Sequence, residues 1–380
     1  MIRTIVCAHK MTGVTHMFAP TFSCYNKPFS SPLSSFTTSH SFSSSSTNHT
    51  FPSFSISATG TTCTLTWDDV FRISQSETVT EHDPSSYLQG FFHKIQLCNR
   101  ASDKQSEFVP FIVEGRDVGF IHNRFVEHLR GFDDVFVFPE GEGPFGYHVT
   151  LHPLLKTAEE RTSAVGYVVK QLGEEHIPGI RNELYPVKSS FSAPAFFSLE
   201  RAAAPYFGIK AYGIHMSGYV ELNGQKHLWI GKRSPTKSTY PGMLDHLVAG
   251  GLPHGIGCLE NVIKECEEEA GIPRSISIKA NSVSVVSYKD IEGYRYKRDV
   301  LFCYDLMLPE SFVPNNIDGE VESFKLIPVE QVAEVIRKTQ FFKPNCAIVI
   351  IDFLFRHGYI SLENDGYLDL LRSLRIGDWS

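Results

Sequence analysis

The sequence predicts a mixed α/β (α+β) fold in two domains, with the smaller domain first. Three observations support this prediction. The chain of 380 residues has room for about two domains, and 42% hydrophobic with 20% charged residues is a globular composition. Short apolar runs punctuated by glycine also alternate with segments of helical spacing. The longest apolar stretch, Cys346 to Phe355, contains Asp352 and is about half the length that a transmembrane helix needs.

The first element is a leader, residues 1–67, which contains no Asp or Glu and is rich in Ser and Thr. Such a segment buries too little apolar surface to offset its ordering entropy. Its composition is typical of an organelle transit peptide. Because Arg3 is its single arginine, a plastid is favoured over a mitochondrion, whose presequences tend to be Arg-rich. We therefore predict a disordered chloroplast transit peptide, with an untargeted disordered tail as the alternative.

The second element, residues 68–203, is predicted to be an α+β domain of unknown role. Its runs FVPFIVEG and VGFIH, Phe108–Gly115 and Val118–His122, have the length and punctuation of strands. Asn123–Arg130 and Arg161–Leu172 have helical spacing. The Ser- and Ala-rich stretch Ser189–Ala204 is predicted to be the linker that follows.

The third element, residues 204–360, is predicted to be a strand-rich domain, with residues 361–380 as a C-terminal tail. Asn223-Gly224 between two apolar runs predicts a β-hairpin, and Leu259–Ala270 predicts a helix. Further strands are expected at Ile276–Tyr288, Arg295–Met307 and Glu322–Ile327, and closing helices at Val329–Lys338 and Pro344–Arg356.

Charge and cysteine usage restrict the partners. With 35 Lys+Arg against 42 Asp+Glu the formal net charge is −7, which argues against nucleic acid or an anionic membrane as a partner. The eight cysteines include no CxxC pair and are too few for a disulfide scaffold. A reducing compartment is therefore predicted, and a homodimer is left open.

The helix predicted at Leu259–Ala270 carries the clearest chemical signal. At 100° per residue, Glu265 and Glu269 fall side by side on one flank with Glu268 beside them. Glu260 falls on the opposite flank, where it is expected to pair with Lys264. The predicted buried stripe consists of Leu259, Val262, Ile263, Cys266 and Ala270.

Like charges at these spacings destabilise a helix, so three converging carboxylates need compensation. A hard divalent cation such as Mg²⁺ provides it through carboxylate oxygens. On the helix alone, a solvated acidic face is an equal alternative.

Together with its flanks, this helix resembles the Nudix box, G-x(5)-E-x(7)-R-E-U-x-E-E-x-G-U, in which U is aliphatic. Gly250 and Gly251 precede it, and KECEEEAGI matches the second half, with Lys264 in place of Arg and Gly271 as the closing glycine. The loop is one residue short after Gly251, and Ile256 stands where the first Glu is expected.

From about Trp67 to Ile360 the chain looks like a plastid subgroup of plant Nudix hydrolases with an extra N-terminal domain. This subgroup is similar to the Nudix portion of fungal thiamin pyrophosphokinase fusions. The segments that carry the likeness are FVPFIVEGRDVGFIH, YPGMLDHLVAGGLPHGI, NVIKECEEEAGI and FFKPNCAIVIIDFLFRHG.

The resemblance implies a Nudix α/β/α sandwich with a mixed sheet, and hydrolysis of a diphosphate-linked small molecule with Mg²⁺ or Mn²⁺. Glu265 and Glu269 are then expected to hold the metal, and Glu268 to complete the cluster or orient the attacking water. Glu268 and Glu320 are the candidate general bases, although a solvated turn also explains Glu320. The subgroup's activity implies thiamin diphosphate, or its damaged oxo and oxy analogues, as the substrate, cut to the monophosphate and phosphate.

Four residues after a predicted strand are candidate substrate ligands. Lys232, Arg233 and Lys237 have the charge to grip a diphosphate, and Tyr240 has a ring that can stack on a heteroaromatic ring. Surface charge and core packing are the alternatives. His246 and His254, which flank the glycine loop, are expected to be structural or solvent-facing.

Three other functions compete with this one. Another Nudix activity, on ADP-ribose or dinucleotides, needs the same carboxylates. Isopentenyl diphosphate isomerase shares the fold, but Cys258 and Cys266 stand in the wrong context for its chemistry. A non-catalytic diphosphate-binding module is favoured by Ile256 and disfavoured by the intact set of carboxylates.

Overall fold

The computed structural model describes residues 65–75, 87–139, 141 and 146–377, all within one structural unit. The predicted transit peptide lies outside the described residues, apart from its last three positions. Among the helices in the described ranges, none combines the length and the apolar character needed to cross a membrane.

The first sheet has four strands in the order β2-β1-β4-β3. β1 pairs antiparallel with β2 through a turn in which Glu114 and Gly115 both have positive φ, and β4 runs parallel to β1. The bounds are Phe108–Val113 for β1, Arg116–His122 for β2, Phe136–Val137 for β3 and Val149–Leu151 for β4. The two strands predicted here are confirmed.

Helices complete this part of the chain, together with a second hairpin that is described in the next paragraph. After α1 (Trp67–Ser74) and α2 (Gln89–Gln96), the helices of this part are α3 (Asn123–Leu129) and α4 (Ala158–His176). Thr157 and Glu160 form a capping box at the start of α4. The predicted helices are therefore confirmed. The elements from β1 to residue 203 are called the N-terminal domain below.

The segment Ser189–Ala204 is not the linker that the sequence predicted. It contains β6, Phe197–Glu200, which pairs antiparallel with β5, Leu184–Val187, and then a 3-10 helix, Arg201–Ala203. Phe197 and Leu199 are buried in the core of the N-terminal domain. Two apolar side chains in a Ser- and Ala-rich stretch are enough to fix a short strand. The average composition of the stretch gave no sign of this strand.

The second sheet has seven strands, with the order β11-β12-β7-β8-β13; β10 pairs with β7 and β9 pairs with β8. It is mixed because β12 runs parallel to β7 while the other pairs are antiparallel. The predicted turn at Asn223-Gly224 is confirmed, since both residues have the positive φ that a type I′ turn requires. The bounds are Lys210–Leu222, Gln225–Arg233, Leu244–Asp245, Val248–Gly251, Asn281–Glu292, Arg295–Met307 and Val321–Pro328 for β7 to β13.

Helices cover both faces of this sheet. On one face, Ile214 and Met216 of β7 pack against Val262 and Cys266 of α5. On the other face, Leu301 and its neighbours share a core with the later helices. The helices are α5 (Cys258–Ala270), α6 (Arg274–Ser277), α7 (Val329–Lys338), α8 (Pro344–Arg356) and α9 (Tyr367–Ser373). The α/β/α layering implied by the resemblance is confirmed.

Two predicted elements differ in detail. The strand expected from Ile276 begins at Asn281, because Arg274–Ser277 forms the short helix α6. The stretch predicted as a tail contains α9, whose Leu370 lies with Leu374 in the core that α8 also lines.

Candidate active site

The two glycines before α5 let this helix approach β10 closely. A Cβ atom at Gly250 would collide with the carboxylate of Glu265, and one at Gly251 would collide with the hydroxyl of Tyr185. Asn261 Nδ2 donates a hydrogen bond of 2.7 Å to the carbonyl of Gly251. The glycines are therefore required because acidic and aromatic side chains occupy the space of their missing side chains.

Glu269 lies against the same strand. Its Oε2 atom accepts a hydrogen bond of 2.8 Å from the backbone N–H of Ala249. Glu265 and Glu269 are thus placed together beside β10, as the helical spacing predicted. Gly271 ends the helix at φ 63°, and the N–H of Ile272 bonds to the carbonyl of Cys266, so the predicted glycine cap is confirmed.

The buried stripe of α5 differs from the prediction at one residue. Leu259 is 40% exposed, whereas Asn261 is fully buried. The reason is the hydrogen bond from Asn261 to Gly251, which turns this polar side chain inward. Val262, Ile263, Cys266 and Ala270 are buried as predicted.

Burial makes the carboxylate pair electrostatically costly. Burial raises the pKa of Glu265, against the opposing effect of the Lys264 charge. Burial also raises the pKa of Glu269 well above its usual range, although the Ala249 N–H opposes this, and the charge of Glu265 adds to the rise. Two adjacent, partly buried carboxylates with few cationic partners form a donor set that suits a hard divalent cation.

Glu268 and Lys264 lie at the exposed edge of this pair. Lys264 Nζ is 2.6 Å from Glu268 Oε2 and 3.4 Å from Glu265 Oε1. The expected pairing of Lys264 with Glu260 is wrong. Glu260 instead accepts two hydrogen bonds, of 2.8 and 2.9 Å, from Arg274, because α6 brings that guanidinium alongside.

Ile256, at the position of the first motif Glu, has a hydrophobic role. It packs against a buried cluster that contains Tyr212, Leu252 and Val300. This environment stabilises an aliphatic side chain and offers no site for a charged one.

The cations predicted to bind substrate are each paired with a carboxylate. Lys232 Nζ is 3.0 Å from Glu322 Oε1, and Lys237 forms an ion pair with Glu320. Arg233 is buried, binds Asp245 at 2.9 Å, and donates to the carbonyls of Thr239 and Tyr240.

Arg233 therefore holds the loop that carries Tyr240. The Tyr240 side chain is on the surface, with 37% of the residue exposed, at a φ of 51° that is uncommon outside glycine.

A buried cluster escaped the sequence analysis. His215 Nδ1 is 2.7 Å from His246 Nε2, and one nitrogen of each ring lies within 4.8 Å of Cys346 Sγ. Burial lowers the pKa of His215 well below its usual range. The 2.7 Å separation is that of a hydrogen bond, and the cluster joins β7, the β9–β10 loop and α8. No sequence spacing links its three residues, so only the fold identifies it.

His246 is buried in this cluster, so the solvent-facing alternative for it is wrong. His254 is also engaged, with Nδ1 2.5 Å from the Ser198 hydroxyl and its backbone N–H 3.0 Å from the carbonyl of Leu184. Both histidines contribute to packing around the glycine loop.

Comparisons with known proteins agree with this geometry. A family model described as "NUDIX domain" matches residues 216–345, and one described as "Domain of unknown function (DUF4743)" matches residues 90–211. "Nudix hydrolase 20, chloroplastic" of Arabidopsis thaliana is 64% identical over 320 residues, which cover 83% of this chain and 84% of that protein. "Nudix hydrolase 24, chloroplastic" of the same plant is 62% identical over 316 residues, or 83% and 85%.

An uncharacterised protein of Saccharomyces cerevisiae is 41% identical over 210 residues, which cover 51% of this chain and 60% of that protein. The names of both plant relatives place them in the chloroplast. They confirm the localisation predicted from the composition of the leader.

Proposed function

The chain belongs to the Nudix hydrolase family, and we propose that it cleaves the diphosphate of a small molecule with Mg²⁺ or Mn²⁺. The observation that carries this proposal is the pair Glu265 and Glu269, held beside β10 by the close approach to Gly250 and by the Ala249 N–H. On a solvated acidic face these like charges would be exposed, because exposure avoids the free-energy cost of burying them. Their partial burial therefore argues against that alternative.

Each carboxylate has a distinct proposed role. Glu265 and Glu269 hold the cation, which offsets the charge of the diphosphate and makes water more nucleophilic toward phosphorus. Glu268, exposed and held by Lys264 at 2.6 Å, orients the attacking water and accepts its proton. Glu320, which forms an ion pair with Lys237, is the second candidate base.

The candidate substrate ligands divide by how many partners each already has: Lys232 and Lys237 each pair with one carboxylate, whereas Arg233 binds Asp245 and two backbone carbonyls. Lys232 and Lys237 exchange their carboxylate partners for diphosphate oxygens, and Tyr240 stacks on the heteroaromatic part of the substrate. Arg233, which bonds the backbone of the Tyr240 loop, positions that ring.

The substrate we propose is thiamin diphosphate or, preferably, its damaged oxo and oxy analogues, cut to the monophosphate and phosphate. Its support is the similarity to the Nudix portion of fungal thiamin pyrophosphokinase fusions. ADP-ribose and dinucleotides are the alternative substrates, and a non-catalytic diphosphate-binding module is the alternative function.

A substrate panel separates these proposals. Phosphate or nucleotide release is measured from thiamin diphosphate, its oxo and oxy analogues, ADP-ribose and a dinucleotide, each with and without Mg²⁺. We expect Mg²⁺-dependent release, greatest for the oxidised analogues, which Glu265→Gln abolishes. The matched control is Glu267→Gln, at an exposed position of the same helix, and it should leave the rate unchanged.

Three outcomes contradict parts of this proposal. Mg²⁺-dependent turnover that survives in Glu265→Gln overturns the metal assignment. Release from ADP-ribose or the dinucleotide alone replaces the thiamin substrate. A flat panel from a protein that still binds diphosphate favours the non-catalytic module.

A further inference from the structure

The β5–β6 hairpin of the N-terminal domain covers the glycine loop before α5. The Tyr185 hydroxyl takes the space where a side chain at Gly251 would lie. The carbonyl of Leu184 accepts a 3.0 Å hydrogen bond from the N–H of His254, whose ring nitrogen lies 2.5 Å from Ser198 Oγ. The hairpin is therefore part of the wall around the active-site loop.

Arg201 follows this hairpin and is linked through Tyr185 to the loop beside Glu265. Its guanidinium carbon lies 5.5 Å from the centre of the Tyr185 ring, and its Nη1 atom is 2.7 Å from Glu183 Oε2. Tyr185 touches Gly251, and Glu265 touches the adjacent Gly250. Arg201 is close enough to Glu265 for their charges to interact. The N-terminal domain thus brings a cation to the edge of the proposed metal site.

The environment of Arg201 suits exchange of its carboxylate partner for phosphate. Its side chain is 33% exposed and that of Glu183 is 26% exposed, whereas the side chain of Arg233 is only 10% exposed. Because this ion pair is more exposed than that of Arg233, solvent screens it more, and exchange of Glu183 for phosphate oxygens costs less. The planar guanidinium fork binds phosphate oxygens in a bidentate manner, and stacking on Tyr185 already orients it.

We propose that Arg201 binds the substrate's diphosphate beside Glu265 and Glu269, exchanging Glu183 for phosphate oxygens. The N-terminal domain, all of which lies within the match to the model of unknown function, then completes the active site of the Nudix domain. This inference rests on the proposed diphosphate hydrolase function, and it adds a substrate ligand that the Nudix domain does not contain.

The direct test is binding of methylenediphosphonate, a diphosphate analogue that cannot be hydrolysed, to the full chain with Mg²⁺ by calorimetry. For Arg201→Gln we expect a Kd about tenfold to a hundredfold higher, the range for loss of a charge-assisted hydrogen bond. KM for the best substrate of the panel should rise similarly, with a smaller change in kcat. Arg130→Gln is the matched control, because Arg130 pairs with the exposed Glu127 in the same domain, and it should change neither value.

A second variant separates a ligand from a structural ion pair. Glu183→Gln removes the competing carboxylate, so we expect it to leave Kd unchanged or lower it, the opposite of Arg201→Gln. If Arg201 only stabilises the fold through Glu183, both variants weaken binding equally, and the proposal is overturned. Arg201→Lys keeps the charge but not the planar guanidinium. If Arg201→Gln does not fold, Arg201→Lys should give a Kd between that of the wild type and the increase expected for loss of the charge.

The outcomes distinguish this inference from the proposed function. A folded Arg201→Gln that binds methylenediphosphonate as tightly as the wild type overturns the role of Arg201, while hydrolysis by the wild type still stands. Binding that depends on Arg201, in a protein that hydrolyses no diphosphate, upholds Arg201 and overturns the hydrolase.

Discussion

Two acidic clusters flank the seven-stranded sheet, and they differ in how their charge is compensated. Glu269 accepts a hydrogen bond from the Ala249 N–H, and Glu265 lies 3.4 Å from Nζ of the partly exposed Lys264. On the opposite face, the buried Asp352 accepts hydrogen bonds from Arg356 Nε at 2.7 Å and Ser284 Oγ at 3.0 Å, and from Arg375.

Asp305 extends the compensated cluster. It accepts a 2.9 Å hydrogen bond from Arg356 Nη2 and lies 2.8 Å from His357 Nε2. Burial alone raises the pKa of this carboxyl, but the bonds to His357 and Arg356 outweigh burial and lower it. In contrast, burial prevails at Glu265 and Glu269, and their pKa values are raised.

The comparison shows that burial of acid does not by itself mark a functional site. The Asp305–Asp352 cluster is completed by arginines of the same chain and therefore stabilises the fold. Among the described residues, no arginine donates a hydrogen bond to Glu265 or Glu269, and Arg201 interacts with Glu265 only through its charge, so a cation from outside the chain is the natural partner. The two clusters should consequently respond to mutation, pH and metal in opposite ways.

The largest expected effect is on the stability of the compensated cluster. Asp352→Asn leaves Arg356 and Arg375 without their shared carboxylate, and loss of one member of a buried ion pair costs about 3–5 kcal/mol. Urea unfolding should show this loss, while Asp369→Asn on the exposed face of α9 should show almost none. A loss below about 1 kcal/mol for Asp352→Asn would mean that the two clusters do not differ in kind.

The next effect is on catalysis at the uncompensated pair. Glu269→Gln keeps an oxygen that can accept from Ala249 but removes the charge, and we expect kcat to fall by about 10²–10³-fold, as for loss of one preorganised electrostatic group. The metal-free protein should become more stable, because its folded state no longer has to bury this negative charge. Steady-state kinetics and thermal unfolding without metal measure the two quantities, and lower stability with normal kcat would reverse the assignment.

The pH dependence of stability should separate the clusters by sign. The lowered pKa of Asp305 means that its contribution is present above the unfolded value, about 3.9, and is lost as pH falls through the folded value. The raised pKa values of Glu265 and Glu269 mean that metal-free stability decreases as pH rises above the usual Glu value, about 4.3.

Added Mg²⁺ should remove only the decrease on the alkaline side, because it competes with protons for the same oxygens. Urea unfolding from acid to neutral pH, with and without Mg²⁺, measures this. An equal Mg²⁺ increment at every pH would contradict the assignment of the site.

The smallest effect is expected at the exposed edge. Lys264 is 45% exposed where it pairs with Glu268, so Lys264→Ala should change the free energy of unfolding by less than about 1 kcal/mol. Urea unfolding of this variant beside Glu267→Gln tests the expectation. A loss comparable to that of Asp352→Asn would show that Lys264 belongs to a buried network.

The relative positions of the Glu265 and Glu269 carboxylates could be predicted from the sequence because helical geometry fixes them. Residues 265 and 269 are one turn apart on any helix, and Gly271 shows where the helix ends, so their convergence needs no tertiary information. Leu259 was assigned to the wrong face because a side-chain bond from Asn261 to the Gly251 carbonyl sets the burial of the first turn.

Arg201 and the His215–His246–Cys346 cluster could not be predicted from the sequence in this way. Their partners are distant in sequence, and only the packing of the β5–β6 hairpin and of α8 against the sheet brings them together. The linker predicted at Ser189–Ala204 also concealed the strand that places Arg201. Local sequence patterns determine the helices and strands and which residues share a face, whereas contacts between domains depend on the complete fold.

The most direct test of the proposed metal site is Mn²⁺ binding to the full chain, followed by the loss of the free-ion signal in electron paramagnetic resonance. The wild type and Glu267→Gln should bind Mn²⁺ alike, with Mg²⁺ competing. Glu265→Gln and Glu269→Gln should each weaken binding by on the order of tenfold or more, a loss reached even when outer-shell partners are removed. Equal Mn²⁺ affinity in all four proteins would contradict the assignment of Glu265 and Glu269 as the metal ligands.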